Sequence, residues 1–226
     1  MNFRNKKLIQ YWLHAQYRKG HNIHSPFLFR LITTVIENDG FFSAYSSIEK
    51  AAQICLEKGT NMHNDLNEKF GKLIFRLVNE FRPEKIIYIG KSNGFNIACL
   101  ALADSRIPVE VSQPEVVDGK LDDIVRKLKI KNITTTSSTT NHTGNFLMVD
   151  LKHADIALSQ PDSLFWDSEE DRKVVLLTGI HESDETEKEW MRYKEDKRVK
   201  ISLDLFELGI CIIDPKFQKE NFVLRF

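Results

Sequence analysis

The chain has 226 residues, of which 42% are hydrophobic and 28% charged, a composition typical of a globular protein with one full core. Its 32 basic and 32 acidic residues balance, so no net field attracts nucleic acid or an anionic membrane. We therefore expect neither of those partners, and a small molecule is the ligand class left to consider.

Three cysteines, Cys55, Cys99 and Cys211, lie far apart inside apolar patterns, which indicates buried free thiols in a reducing compartment. The first residues mix basic and aromatic side chains without the sustained apolar run of a signal peptide. No apolar run is long enough to span a bilayer. These features predict a cytoplasmic protein, and the sequence leaves its oligomeric state open.

Four helices are predicted before the first strand. Each has apolar residues at helical spacing, and the second also begins with a capping residue, Ser25, before Pro26. The predicted helices are residues 2–19, 26–39, 46–59 with a capping box over residues 46–49, and 65–81. We expect residues 1–82 to form a helical region packed on a core of residues 83–226, in one globular unit.

The chain is organised around the stretch of residues 85–104. A continuous apolar run at 86–89 predicts a strand buried on both faces, and apolar residues at helical spacing follow from Ile97. Between them lies a glycine turn, formed by Gly90, Ser92, Asn93 and Gly94. A strand, a glycine turn and a helix start together make a ligand cradle, because backbone N–H groups can approach a ligand closely there. The alternative is that the glycines only permit a sharp turn.

The same turn matches Gly-x-Ser-x-Gly, the nucleophile elbow of α/β-hydrolases. A hydrolase with Ser92 as nucleophile and His181 as base is therefore a remote alternative. Against it, four helices stand where early strands should be, and no glycine-rich oxyanion segment precedes the turn.

The remainder of the chain alternates strands and helices and then changes to strands alone. The predicted elements are a strand at 108–112, a helix at 116–128, strands at 132–136, 154–158 and 173–178, a helix capped by Ser183, and strands at 199–204, 208–213 and 221–225. This order predicts an α/β fold with a mostly parallel sheet and antiparallel C-terminal strands.

The order of elements and three stretches resemble the class I S-adenosylmethionine-dependent methyltransferases, in particular a methyltransferase-like family of Bacteroidetes-type bacteria. The stretches are His21-Asn-Ile-His-Ser-Pro-Phe27, the glycine turn, and a C-terminal set made of Ile180-His-x-Ser183, Trp190, Asp204-Leu-Phe206, Gly209-Ile210 and Leu-Arg-Phe226. The resemblance implies a Rossmann-like domain that contacts S-adenosylmethionine through Gly90, Ser92, Asn93, Gly94, Ser112 and Gln160.

The chain departs from this family at four places where an acid is expected. Tyr88 replaces the acid near the end of the first strand, and Ser112 replaces the ribose-binding acid that ends the second, with Gln113 and Glu115 as substitutes. Residues 159–162 stand where the fourth strand would end in Asp-Gly-x-His. Residues 178–181, Thr-Gly-Ile-His, stand where Asp-Asp-Ile-His often follows the fifth strand.

Together the replacements predict a divergent member with eroded cofactor and metal sites, which binds no metal, binds S-adenosylmethionine weakly, and is inactive or weakly active. An active, metal-independent methyltransferase acting on a small molecule is the alternative. A slipped register would leave an acid in the site, at Asp150, Asp155 or Asp162.

His181 is the candidate catalytic residue, because it follows the fifth strand at the ligand-binding end of such sheets. It could serve as base, donor or ligand, or its ring could only hold the loop by hydrogen bonds. For His21 and His24, which precede a helix, the structural role is preferred. No cysteine and histidine group has zinc spacing.

Overall fold

A computed structural model describes residues 2–15, 23–57, 66–90, 92, 94–112, 120–136, 144–152 and 172–226. The helices are α1 Phe3–His14, α2 Pro26–Arg30, which continues as a π-helix over Leu31–Ile36, α3 Tyr45–Glu57, α4 Glu68–Phe81, α5 Phe95–Ala103, α6 Lys120–Leu128 and α7 Asp184–Glu195. The strands are β1 Ile86–Ile89, β2 Val109–Ser112, β3 Ile133–Thr136, β4 Phe146–Asp150, β5 Lys173–Thr178, β6 Ile201–Asp204, β7 Leu208–Ile213 and β8 Glu220–Val223.

The eight strands form one sheet in the order β3-β2-β1-β4-β5-β7-β6-β8. The first five strands pair in parallel, β7 runs antiparallel to β5 and β6, and β8 pairs in parallel with β6. This confirms the predicted α/β fold with a mostly parallel sheet and antiparallel C-terminal strands. None of the helices described is long and apolar enough to cross a membrane.

Alternate residues of the central strands bury their side chains on opposite faces of the sheet. In β1, Ile86 and Tyr88 belong to the cluster that contains the buried residues of α3, α4 and α5. Ile87 and Ile89 belong to the cluster beside α7, which supplies Trp190 to it. Because both faces are covered, β1 is apolar at every position, and this is why the sequence predicts it correctly.

The second predicted helix begins as expected, with the Ser25 side chain accepting a hydrogen bond from the N–H of Leu28 at 3.4 Å and Pro26 in the first turn. It then widens into the π-helix, which the sequence does not predict. Five of its apolar residues are at most 5% exposed and lie in the same core cluster as the sheet, namely Leu28, Leu31, Ile32, Val35 and Ile36.

Two helix starts differ from the prediction. The helix α3 begins at Tyr45, so Ser46 lies inside it, and its hydroxyl donates to the carbonyl of Ser43 at 3.0 Å instead of forming a capping box. The helix α4 begins at Glu68 after Asn67, whose side chain accepts from the N–H of Phe70. In α4 the Asn67 side chain thus satisfies one of the first N–H groups, which residue spacing alone does not identify.

Candidate functional site

The carboxyl ends of the parallel strands meet at one edge of the sheet, which we call the cleft edge. Ile89 of β1 lies level with Ser112 of β2 and Val149 of β4, and Asp150 lies level with Thr178 of β5. Open α/β sheets bind their ligands outside this edge. The predicted cofactor residues that the structure describes lie along it.

Both glycines of the glycine turn adopt a backbone conformation that favours glycine, with φ of 114° at Gly90 and 101° at Gly94. A Cβ atom on Gly90 would lie 2.9 Å from the Cβ of Asp150, and one on Gly94 would lie 2.8 Å from the Cα of Leu121. The two glycines are therefore required by close packing against β4 and α6, apart from any ligand. This explains part of the motif without a cofactor.

Ser92 is buried, and its hydroxyl accepts a hydrogen bond from the N–H of Gly94 at 2.9 Å. Its neighbours Lys91 and Asn93, the second of which is a predicted cofactor residue, lie outside the described residues. The ring of His181 contacts Asp204, Glu187 and Phe206, and within the part of the chain that the structure describes it makes no hydrogen bond to Ser92. The structure therefore does not bring together the serine and histidine that a hydrolase would need.

Ser112 ends β2 at the cleft edge, where the resemblance places the ribose-binding acid. It is 0% exposed, and its hydroxyl has no hydrogen-bond partner among the described residues. A buried hydroxyl without a partner is unfavourable, so a polar ligand group at this place would satisfy it. A hydroxyl is nevertheless a weaker acceptor than the carboxylate expected there. The predicted site residue Gln160, and Gln113 and Glu115, lie outside the described residues.

An acid does lie at the cleft edge, and the sequence analysis names it only as the result of a slipped register. Asp150 ends β4, is 2% exposed, and accepts hydrogen bonds from the N–H of Lys152 at 3.1 Å and the hydroxyl of Thr178 at 3.4 Å. Its Cβ lies beside Gly90 of the glycine turn. The described part of the cleft edge therefore keeps a buried carboxylate beside the glycine turn.

Asp150 is not among the predicted site residues, because the prediction places the fourth strand at residues 154–158 and the end of that strand at residues 159–162. The strand that pairs with both β1 and β5 is Phe146–Asp150, a run of four apolar residues followed by Asp. Once the strand is placed there, Asp150-Leu-Lys-His153 has the Asp-x-x-His spacing that was sought at residues 159–162. The predicted strand at residues 154–158 lies outside the described residues.

His181 lies in a second group of residues, which we call the His181 cluster: His181, Trp190, Asp204 and Phe206. The Nε2 of His181 lies 2.8 Å from Oδ2 of Asp204, and because a carboxylate only accepts, Nε2 donates. The same oxygen accepts from the indole N–H of Trp190 at 3.3 Å, while Oδ1 accepts from the backbone N–H of Phe206 at 2.9 Å. The other ring nitrogen, Nδ1, faces Glu187 at 3.9 Å.

The helix α1 covers this cluster. The ring of Tyr11 packs against that of Phe206 with centroids 5.2 Å apart, and its hydroxyl donates to the carbonyl of Leu224. Burial raises the pKa of Tyr11 to about 12, so the hydroxyl keeps its proton. Lys7 binds Glu187 at 2.5 Å. Two of the C-terminal residues that carry the resemblance, Phe206 and Leu224, are thus in contact with the first helix.

These contacts favour the structural role for His181. Its ring is hydrogen-bonded to Asp204 of β6 and faces Glu187 of α7. Within the described ranges it has no hydrogen bond or ring contact with β1, β2 or β4. Gly209 belongs to the same arrangement, because a Cβ atom there would lie 2.7 Å from the ring of Trp190. The catalytic role of His181 stays a prediction, and no contact within the described residues joins its ring to Gly90, Ser92 or Gly94.

Replacing His181 with alanine separates its two roles. We expect a loss of about 1–3 kcal/mol of unfolding free energy, because Asp204 keeps its buried charge and loses a donor. Urea denaturation would measure this, with His24→Ala at an exposed position as the control, for which we expect a change within about 0.5 kcal/mol. Near-normal stability together with a lost response to S-adenosylmethionine would instead establish the catalytic role.

No group of three or more histidine, cysteine, aspartate or glutamate side chains that could hold a metal ion occurs in the described ranges. Of the other histidines considered above, His24 is exposed, and His21 lies outside those ranges. The prediction that no metal is bound therefore remains a prediction.

The solved structures whose fold this chain resembles include methyltransferases, among them O-methyltransferases in complex with SAH or SAM. The chain is similar to the SAH-bound methyltransferase PaMTH1 of Podospora anserina (TM-score 0.56, 12% identity, covering 86% of this chain and 97% of that one). It is similar to the Bacillus cereus O-methyltransferase in complex with SAH (TM-score 0.56, 14% identity, covering 80% of this chain and 96% of that one). It is also similar to the O-methyltransferase TomG of Streptomyces achromogenes in complex with SAM (TM-score 0.52, 13% identity, covering 77% of this chain and 91% of that one).

No protein-family model and no curated protein sequence matches the chain. At such low identities the structural likeness establishes the methyltransferase fold alone.

Proposed function

We propose that the chain is a methyltransferase-fold protein with a reduced cofactor site, which binds S-adenosylmethionine weakly and is inactive or weakly active as a methyltransferase. The observation that carries the proposal is Ser112, a buried hydroxyl at the end of β2 with no partner among the described residues. A ligand hydroxyl would bind there, but without the charge of a carboxylate acceptor.

The residues present would hold the cofactor in part. Backbone N–H groups at the start of α5, beside Gly94, are suited to the negative end of a ligand, although the N–H of Gly94 itself is bound to Ser92. Ser112 would take one ribose hydroxyl, and Asp150 would accept from a donor beside the glycine turn. When bound, S-adenosylmethionine supplies an activated methyl group, and the role of the chain is to orient it and an acceptor.

Asp150 favours a second candidate, an active and metal-independent methyltransferase acting on a small molecule. A buried carboxylate between β1 and β5 can orient a donor group of the ligand more strongly than a neutral side chain. Methyl transfer needs proximity and orientation more than a strong acid or base, so one such residue could be sufficient.

Calorimetry with S-adenosylmethionine distinguishes the two candidates. Loss of a charged ribose acceptor should cost about 1.5–3 kcal/mol, so we expect affinity lower by about one to two decades than that of a site with the acid. Ser112→Glu should restore part of it, and Asp150→Asn should lower it further. The titration should give the same result with EDTA as with Mg²⁺.

The control is Ser46→Glu, at an exposed position on α3, which should leave the affinity unchanged. Low-micromolar binding by the unmodified chain, lost in Asp150→Asn, would replace the reduced-site proposal with the active enzyme. No gain from a folded Ser112→Glu protein would show that this residue is not at the ribose position.

A further inference from the structure

A cavity of about 300 Å³ lies against α4, and none of the predicted cofactor residues that the structure describes lines it. Its lining comes from the end of the π-helix and the loop after it, from Tyr45 at the start of α3, from α4, and from residues 225 and 226. Four cationic side chains line it, Lys69, Lys72, Arg76 and Arg225, against two acidic ones, Glu37 and Asp39.

Arg76 is the buried cation of this group, at 8% exposure. Its Nε donates to the carbonyl of Val35 at 2.5 Å, its Nη2 to that of Ile36 at 3.1 Å, and its Nη1 to the hydroxyl of Tyr45 at 2.7 Å. All three acceptors are neutral, and within the described ranges no carboxylate lies within ion-pair distance of Arg76. A buried guanidinium without a counterion is costly, so an anion in the cavity would be stabilised by it.

The π-helix is the local reason for this arrangement. Its residues Val35 and Ile36 lie in the last turn, where carbonyl groups lack helical partners, and both carbonyls accept from Arg76. π-Helical segments are rare and often lie at functional sites. Here the segment fixes the guanidinium plane beside the cavity.

Lys69, Lys72 and Arg76 lie on one face of α4, at spacings of three and four residues. Lys72 is held by Glu49 at 2.8 Å and by Glu68 at 2.6 Å, which raise its pKa, so part of its charge is already balanced. Lys69 places its ammonium 4.0 Å from the ring centroid of Phe226, at the wall of the cavity. Arg76 is therefore the cation of this cavity whose partners among the described residues are all neutral, and Lys69 and Arg225 line the cavity with it.

Aromatic side chains supply the apolar part of the lining. Phe41 is 82% exposed although it is a large hydrophobic residue, and its ring contacts that of Tyr45 edge-on at 6.4 Å. Phe226 forms another part of the wall. An exposed phenyl ring beside a buried guanidinium fits a ligand that has a planar apolar group next to its charge.

We propose that this cavity binds a small organic anion in which a carboxylate or phosphate is attached to a planar apolar group. The anion lies against Arg76, with Lys69 beside it, and the planar group contacts Phe41 and Phe226. The proposal is independent of the cofactor site, because the two share no described residue.

The test is calorimetric titration of the full chain with benzoate and with phenyl phosphate, which distinguish the two anionic groups. We expect at least one to bind, and benzyl alcohol and inorganic phosphate, which each lack one half of the ligand, to bind about tenfold more weakly or not at all. Absence of binding by both aromatic anions would overturn the proposal, as would inorganic phosphate binding equally well.

Two variants connect the binding to this cavity. Because Arg76→Gln could prevent folding, the informative changes are Lys69→Gln and Phe41→Ser, each expected to weaken binding about five- to tenfold. Lys188→Gln, whose side chain is 70% exposed on α7, is the matched control and should bind as the unmodified chain does. Unchanged affinity in both cavity variants would place the anion elsewhere and contradict the assignment.

Discussion

Replacing Asp204 with alanine is expected to lower the free energy of unfolding by about 3–5 kcal/mol, because the change removes a buried carboxylate from the centre of a network. Asp204 is 5% exposed and accepts from the ring of His181, the indole of Trp190 and the backbone N–H of Phe206. All three donors would be left without that acceptor, and each unsatisfied donor is costly.

Asp184→Ala is the matched control for this change. Asp184 is in the first turn of α7, its side chain is 60% exposed, and it pairs with Lys188 at 2.5 Å. Exposed pairs of this kind contribute about 0–1 kcal/mol. Urea denaturation should therefore show a loss of unfolding free energy that is several-fold larger for Asp204→Ala than for Asp184→Ala. Equal losses would show that the His181 cluster is not a stabilising network.

The prediction from sequence succeeded where local chemistry determines the structure. β1 and β5 are continuous apolar runs because both faces are buried, so the runs themselves stand out in the sequence. Ser183 was assigned as a cap, and its hydroxyl accepts from Thr186 at 3.3 Å while the Thr186 hydroxyl accepts in return from the N–H of Ser183 at 3.1 Å. Such signals lie within a few residues of each other.

It failed where the determining contacts are distant in the chain. The π-helix is stabilised by Arg76, 40 residues beyond Ile36, and spacing within the helix contains no sign of that partner. Asp204 lies 23 residues beyond His181, so the sequence contains both residues but no sign that they are partners. β4 is a four-residue apolar run followed by Asp, and what identifies it as the strand beside β1 and β5 is its pairing with them, which is distant in the chain.

Removing residues 1–40 should leave an insoluble or molten protein, although the whole sheet remains. The deleted segment contributes five core side chains that are at most 5% exposed, namely Leu28, Leu31, Ile32, Val35 and Ile36. At about 1.5–3 kcal/mol each, their burial contributes about 7–15 kcal/mol. This is as large as the whole stability of an ordinary domain, at about 5–15 kcal/mol.

The deletion also removes the two carbonyl acceptors of Arg76 and the ring of Phe27, which stacks on Phe217 at 4.7 Å. Removing residues 1–22 alone is the control, because α1 buries only Tyr11 along its length. That shorter deletion should yield a folded protein with a lowered melting temperature, whereas the longer one should lack a cooperative transition by calorimetry. If the chain without residues 1–40 melted cooperatively at the temperature of the full chain, those residues would be an appendage and not part of the core.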